Sequence, residues 1–144
     1  MRKGLFSIMD NKVKHLELIQ GIINRMSSNS FMLKGWAVSL VAGIFAIADK
    51  DADKMYFLVA YIPVIVFWFL DAYYLGQERL YRSLYDGVRN KKETEIDYSL
   101  NPDSISKEDR TDFLSCLFSQ TECGFYCPLA ILCTGIIIIT NCFA

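Results

Sequence analysis

Apolar residues gather into three long runs separated by polar segments. Phe31 to Ala48 and Met55 to Gly76 flank a charged turn, Asp49-Lys50-Asp51-Ala52-Asp53-Lys54, and Gly124 to Ala144 is a third run with no charge. A helix needs ~20 predominantly apolar residues to cross a hydrocarbon core, so each run approaches or reaches spanning length, the first at the short end. The first two predict a transmembrane hairpin. Counted outward from Ala52, Trp36 and Trp68 lie at equal distance, and Lys34 and Asp71 come within one residue of it. In an antiparallel pair, equal distance means equal depth. Two indoles at one level predict an interfacial belt, and a Lys beside an Asp predicts a charge pair near the cytoplasmic boundary. Asp71 has the shorter side chain and depends more on its partner, so its loss is expected to do more damage than loss of Lys34, which can snorkel to water.

Ahead of the hairpin, Asp10 is placed to cap a helix reaching Met26. Val13, Leu16, Ile19, Ile22 or Ile23, and Met26 recur at helical spacing opposite Lys12, Lys14, Glu17 and Arg25. This amphipathic helix lies on a membrane or packs on a partner helix, with His15 on its solvated side. Ser27-Ser28-Asn29-Ser30 is expected to loosen it. Within the first span Gly35, Ser39 and Gly43 recur every four residues, letting another helix approach closely, either inside the hairpin or between protomers. Pro63 removes a backbone donor from the second span and predicts a kink. The exit of that span has no breaker before Gly87. Tyr74, Gln77 or Glu78, Tyr81 and Tyr85 mark one face there, and Glu78 with Arg82 forms an i,i+4 ion pair. In the third run Cys127, Thr134 and Asn141 recur every seven residues, a packing seam rather than a pore lining. The predicted order is an N-terminal amphipathic helix over 1–30, the hairpin over 31–76, a cytoplasmic helical region over 77–123 and a C-terminal transmembrane helix over 124–144. The fold class is an all-α membrane protein.

Composition sharpens this picture. The chain has 144 residues, room for one domain; 53% are hydrophobic and the mean hydropathy is +0.24, concentrated in runs that a soluble core could not bury whole. With net charge −1, nothing argues for direct nucleic-acid binding. The apolar run begins after a polar helix with no cleavage site before it, so the first span is expected to act as its own insertion signal. Lys and Arg cluster before the first span and after the second, while the turn holds only Lys50 and Lys54; this predicts cytoplasmic hairpin ends, an external turn and an external C-terminus. The segment from Glu93 to Glu122 is acidic and reads as a solvated face, with a turn at Asn101-Pro102-Asp103 and a short helix capped by Ser104 or Ser106 and reaching Phe118. All five cysteines fall between Cys116 and Cys142 without a nearby His, which favours reduced, packing cysteines over zinc ligands. There is no glycine-rich phosphate loop, nucleophile elbow or metal-ligand set, so neither an enzyme nor a cofactor is expected.

From Val13 to Lys92 the chain resembles the SLATT-type small membrane effectors of bacteria. The resemblance is carried by the helix ending in Asn24-Arg25, by Trp36, by Phe67-Trp68-Phe69-Leu70-Asp71, and by Tyr74, Glu78, Arg79, Arg82 and Tyr85. The third run departs from the simplest two-span version. The resemblance implies a multi-pass protein of the bacterial inner membrane that serves phage defence or nucleotide signalling, homo-oligomerises, and arrests its host by perturbing the bilayer when a cytoplasmic protein or nucleotide signal activates it. The expected function is therefore an oligomeric effector that forms or disrupts a pore. The alternative is a non-catalytic anchor or accessory subunit that recruits a soluble partner. A small transporter is disfavoured, because three spans leave no inverted repeat.

Overall fold

A computed structural model describes residues 2–47, 57–102 and 112–143, with side chains from Asn11 to Thr140 within them. The Asp49–Lys54 turn and the candidate caps Ser104 and Ser106 lie outside the described residues. What is described is all-α, with no strand.

Helix α1 runs unbroken from Arg2 to Ile47. It does not begin at Asp10, and Ser27–Ser30 do not interrupt it. The reason is a seam that carries straight through: Leu16, Ile19, Ile23, Met26, Ser30, Lys34, Ala37 and Val41 are all buried or half-buried, at three- or four-residue steps. That spacing keeps one stripe on a neighbouring helix, so tertiary packing overrides the weak helix propensity of the serines.

The neighbour is α2, Tyr61–Asn90. Lys12 meets its far end, Ile19 and Ile23 pack with Leu84 and Val88, Lys34 meets Asp71, and Phe45 stacks near Phe57. As numbers rise on α1 they fall on α2, so the pair is antiparallel. Pro63 sets the start of α2 rather than kinking its middle. Without an N–H it cannot bond the Val59 carbonyl, and the chain enters the helix through tighter bonds, Ala60 N–H to Phe57 O (3.2 Å) and Ile62 N–H to Val59 O (3.1 Å). At the other end the Lys12 ammonium donates to the carbonyls of Arg89 (3.1 Å) and Lys91 (2.8 Å), satisfying groups that a helix terminus leaves open.

Past α2 and a 3₁₀ turn at Glu93–Glu95, the chain folds back over α1. Ile96 joins the Ile19–Leu84 cluster, and Tyr98 sets its ring edge-on to His15 (5.5 Å between centroids). His15 is therefore not solvated: it is 3% exposed, with Nε2 unpartnered. Tyr98 reaches it from a left-handed backbone, φ 54°.

Helix α3, Phe113–Leu117, is a short turn ending at Phe118, and α4, Gln120–Phe143, follows at once. Ser119 caps α4, its Oγ accepting from Glu122 N–H (3.4 Å) while its carbonyl takes the first helical bond from Cys123 (2.9 Å). Helix α4 antiparallels α2, since Tyr126 meets Trp68 and Asp71 while Thr134 meets Tyr61. The unit is an up-down-up arrangement in which α1 and α4 run parallel.

Among the described residues two helices are long and apolar enough to cross a membrane: α1 within Asn11–Ile47 and α4 within Gln120–Thr140. Only 11% of the most apolar window in each is buried, so neither is the enclosed core helix of a soluble monomer. Helix α2 is not among them, because Pro63 defers its start to Tyr61 and Gln77-Glu78-Arg79 soon follow Leu75.

Candidate functional site

Where the three long helices meet, α1 supplies Ser30 and Lys34, α2 supplies Trp68 and Asp71, and α4 supplies Glu122 and Tyr126. The Lys34 ammonium is ion-paired with Asp71 Oδ2 and with Glu122 Oε1 (3.1 Å) and also donates to Ser30 Oγ (3.1 Å). An ammonium has three protons, so Lys34 is fully used. Tyr126 donates its hydroxyl to the same Asp71 Oδ2 (3.1 Å). The Phe125 and Tyr126 rings stand 5.8 and 5.9 Å from Lys34 Nζ, adding a weaker cation–π attraction. Asp71 is 0% exposed and Glu122 1%, against 16% for the Lys34 side chain. The second oxygen of each carboxylate, Asp71 Oδ1 and Glu122 Oε2, is buried without a hydrogen-bond partner.

An aromatic wall closes one side. Trp68 donates its indole N–H to Leu117 O (2.9 Å), stacks on Tyr126 (6.0 Å, 13° between planes) and meets Phe118 edge-on (6.2 Å). One indole therefore ties α2 to the α3–α4 junction. Cys116 packs below it with Ala72 and Leu117. Burial pushes its thiol pKa up, while the Arg79 guanidinium, 3.8 Å from its sulfur, acts in the opposite direction.

The structure brings Lys34 and Asp71 together and adds two residues that sequence reasoning left out of the site, Glu122 and Tyr126. Glu122 is not part of a solvated acidic face; it lies inside the helix junction because α4 begins at Gln120 rather than at Gly124. The signal was present in Ser119-Gln120-Thr121-Glu122, a capping-box pattern that marks a helix start, and in the one-turn step from Glu122 to Tyr126.

The remaining predicted positions separate. Trp36 is 61% exposed, whereas Trp68 is half-buried against Tyr126 and Phe118. Gly35 and Ser39 are exposed and Gly43 half-buried; a Cβ added at either glycine meets nothing within 4 Å, and Ser39 Oγ returns to the Gly35 carbonyl (2.8 Å). The small-residue stripe is therefore not the seam inside the hairpin, which is built from Ala37 and Val41. The exposed Arg82 pairs with the half-buried Glu78 as an i,i+4 couple (2.7 Å). Thr134 shares a hydrogen bond with the Tyr61 hydroxyl (2.6 Å), but Cys127 is exposed and the side chain of Asn141 lies outside the described residues. The packed line of α4 is instead Glu122, Tyr126, Leu129 or Ala130, and Cys133. Cys116, Cys123, Cys127 and Cys133 are free thiols, Cys116 and Cys133 being buried.

Comparison with known proteins finds no matching family model, no matching curated protein and no matching solved structure.

Proposed function

We propose that this chain is a multi-pass protein of a bacterial inner membrane, with a cytoplasmic N-terminus and an external C-terminus, that assembles with copies of itself and perturbs the bilayer when activated. The observation that carries the membrane part is the inverted distribution of polarity. Asp71 and Glu122 are enclosed, whereas Phe31, Ile47, Ile131, Leu132, Ile138 and Ile139 face outward at 54–79% exposure. Water favours the opposite arrangement; lipid favours this one, since ionisable groups within a membrane turn inward and pair. Trp36, outward at the level of the charge cluster, suits an interfacial anchor. In this reading α1 and α4 cross in the same direction and α2 returns between them, its crossing lengthened by the apolar turn Phe57–Ala60.

The effector role, and with it phage defence and activation by a cytoplasmic protein or nucleotide signal, follows from the resemblance to SLATT-type effectors. The test is reconstitution of purified protein into vesicles loaded with a self-quenching dye, together with membrane-potential measurements in cells during induced expression. Dye release and depolarisation are expected. Intact vesicles and normal potential at high protein density would favour the non-catalytic anchor instead.

A further inference from the structure

The charge count of the helix junction does not close. Lys34 contributes one positive charge, and Asp71 and Glu122 would together contribute two negative ones. No other cation pairs with either carboxylate among the described residues. An uncompensated charge away from water is costly enough that a group gains or loses a proton instead. The geometry says where the missing charge belongs. Asp71 Oδ2 and Glu122 Oε1 bond the same ammonium, so they lie no more than about 6 Å apart. Asp71 Oδ1 and Glu122 Oε2 are both buried and unpartnered. Two ionised carboxylates can offer each other no hydrogen bond, since neither has a proton to donate, whereas one protonated carboxyl can donate to the other. A metal ion fits poorly, because hard cations want about six oxygen ligands and only two are free here.

We infer that Asp71 and Glu122 together hold one exchangeable proton, which neutralises the Lys34 cluster and keeps α4 docked on the α1–α2 hairpin. Facing the pair are Lys34 from α1 and Tyr126 from α4. Arg79 of α2 and Cys116 of α3 lie beyond, bonded to each other rather than to either carboxylate, and Asp112 adds its charge on the Cys116 side. Loss of the proton leaves two adjacent anions on one ammonium, and the site loses its hold on Glu122, whose helix leans on α2 more than on α1. The proposal concerns protonation and docking, and stands whether or not the protein permeabilises membranes.

Infrared spectroscopy of the full chain in detergent micelles tests it, by the carbonyl stretch of a protonated carboxyl group and its shift in deuterium oxide. At neutral pH the wild type should show one such band from a buried carboxyl. Glu122→Gln and Asp71→Asn should each abolish it, because each leaves one carboxylate facing one ammonium. Lys34→Met should strengthen it, since removing the cation calls for a second proton. Tyr126→Phe, which removes a donor without changing the count, should retain it. Melting provides the second readout: Glu122→Gln should melt within a few degrees of the wild type at neutral pH and lose the wild type's decline as pH rises. The idea is overturned if the wild type shows no protonated-carboxyl band at neutral pH. It is overturned equally if Glu122→Gln lowers the melting temperature as far as Lys34→Met does, which is the behaviour of an ordinary ion pair with both carboxylates ionised.

Discussion

Lys34 is the residue on which the helix junction depends, and the reason is its number of partners. It bonds Asp71, Glu122 and Ser30, on all three long helices, whereas removal of Asp71 still leaves Glu122 opposite the ammonium. Removing one partner of a buried ion pair costs about 3–5 kcal/mol because a charge is left uncompensated. Lys34→Ala should therefore destabilise the protein by about that much, and Asp71→Ala by less, as read from denaturant or thermal melts in detergent. This reverses the order that side-chain length alone suggests, since the length argument knew only one of the two carboxylates. Part of the pair was legible in sequence: counting from Ala52 works because both helices rise equally per residue, and it places Lys34 opposite Asp71. Glu122 was not legible in that way, because no turn of known centre ties α4 to the hairpin. Cys116 gives an independent check at this scale. Its raised pKa and burial oppose thiolate formation, so a variant keeping it as the sole cysteine should react with maleimide many-fold more slowly when folded than in denaturant.

At the scale of elements, α1 shows how packing decides what propensity leaves open. Ser27-Ser28-Asn29-Ser30 looks like a hinge because serine and asparagine compete for backbone hydrogen bonds. The competing fact, a stripe from Leu16 to Val41 that never changes phase, is also in the sequence, but it is visible only once Ser30 and Lys34 are counted as members of a buried seam. Polar residues are usually read as interruptions of such a stripe, and here they are its functional part. The consequence can be measured. Ser28 is exposed and well inside α1, so Ser28→Pro should lose about 3 kcal/mol or more and reduce helical circular dichroism. A flexible hinge would accept the same change with little loss. Ser119 offers the corresponding test for α4. Its Oγ caps the helix that presents Glu122 and Tyr126, so Ser119→Ala should cost about 1 kcal/mol. The same substitution should also weaken the coupling of α4 to Lys34, seen as a smaller stability difference between Lys34 and Lys34→Ala backgrounds.

For the whole molecule, the hairpin and the third apolar helix were both legible as runs of hydrophobic residues, while the way they dock was not, because outward-facing and helix-facing positions are equally apolar. Isoleucine-rich α4 offers little amphipathic contrast; the side that packs is marked by Glu122, Tyr126 and Cys133, three residues of different chemistry. The same ambiguity surrounds the outward face of α1. Met32, Gly35, Trp36 and Ser39 line a shallow groove of about 250 Å³, and Gly43 lies further along the helix with open space above its Cα. Small residues let helix backbones approach and gain dispersion contacts that lipid does not offer. Among the described residues nothing lies within 4 Å of a Cβ added at Gly43, so the protomer should keep its fold with leucine there. If copies of the chain pack through this stripe, the same leucine blocks them. Gly43→Leu should then leave the protomer melting no lower than wild type, since leucine is the better helix former, while crosslinking between copies and the particle size in detergent both fall. A particle of unchanged size would place the assembly contact elsewhere, and the long exposed apolar side of α4, from Ile131 to Ile139, would be the next surface to test.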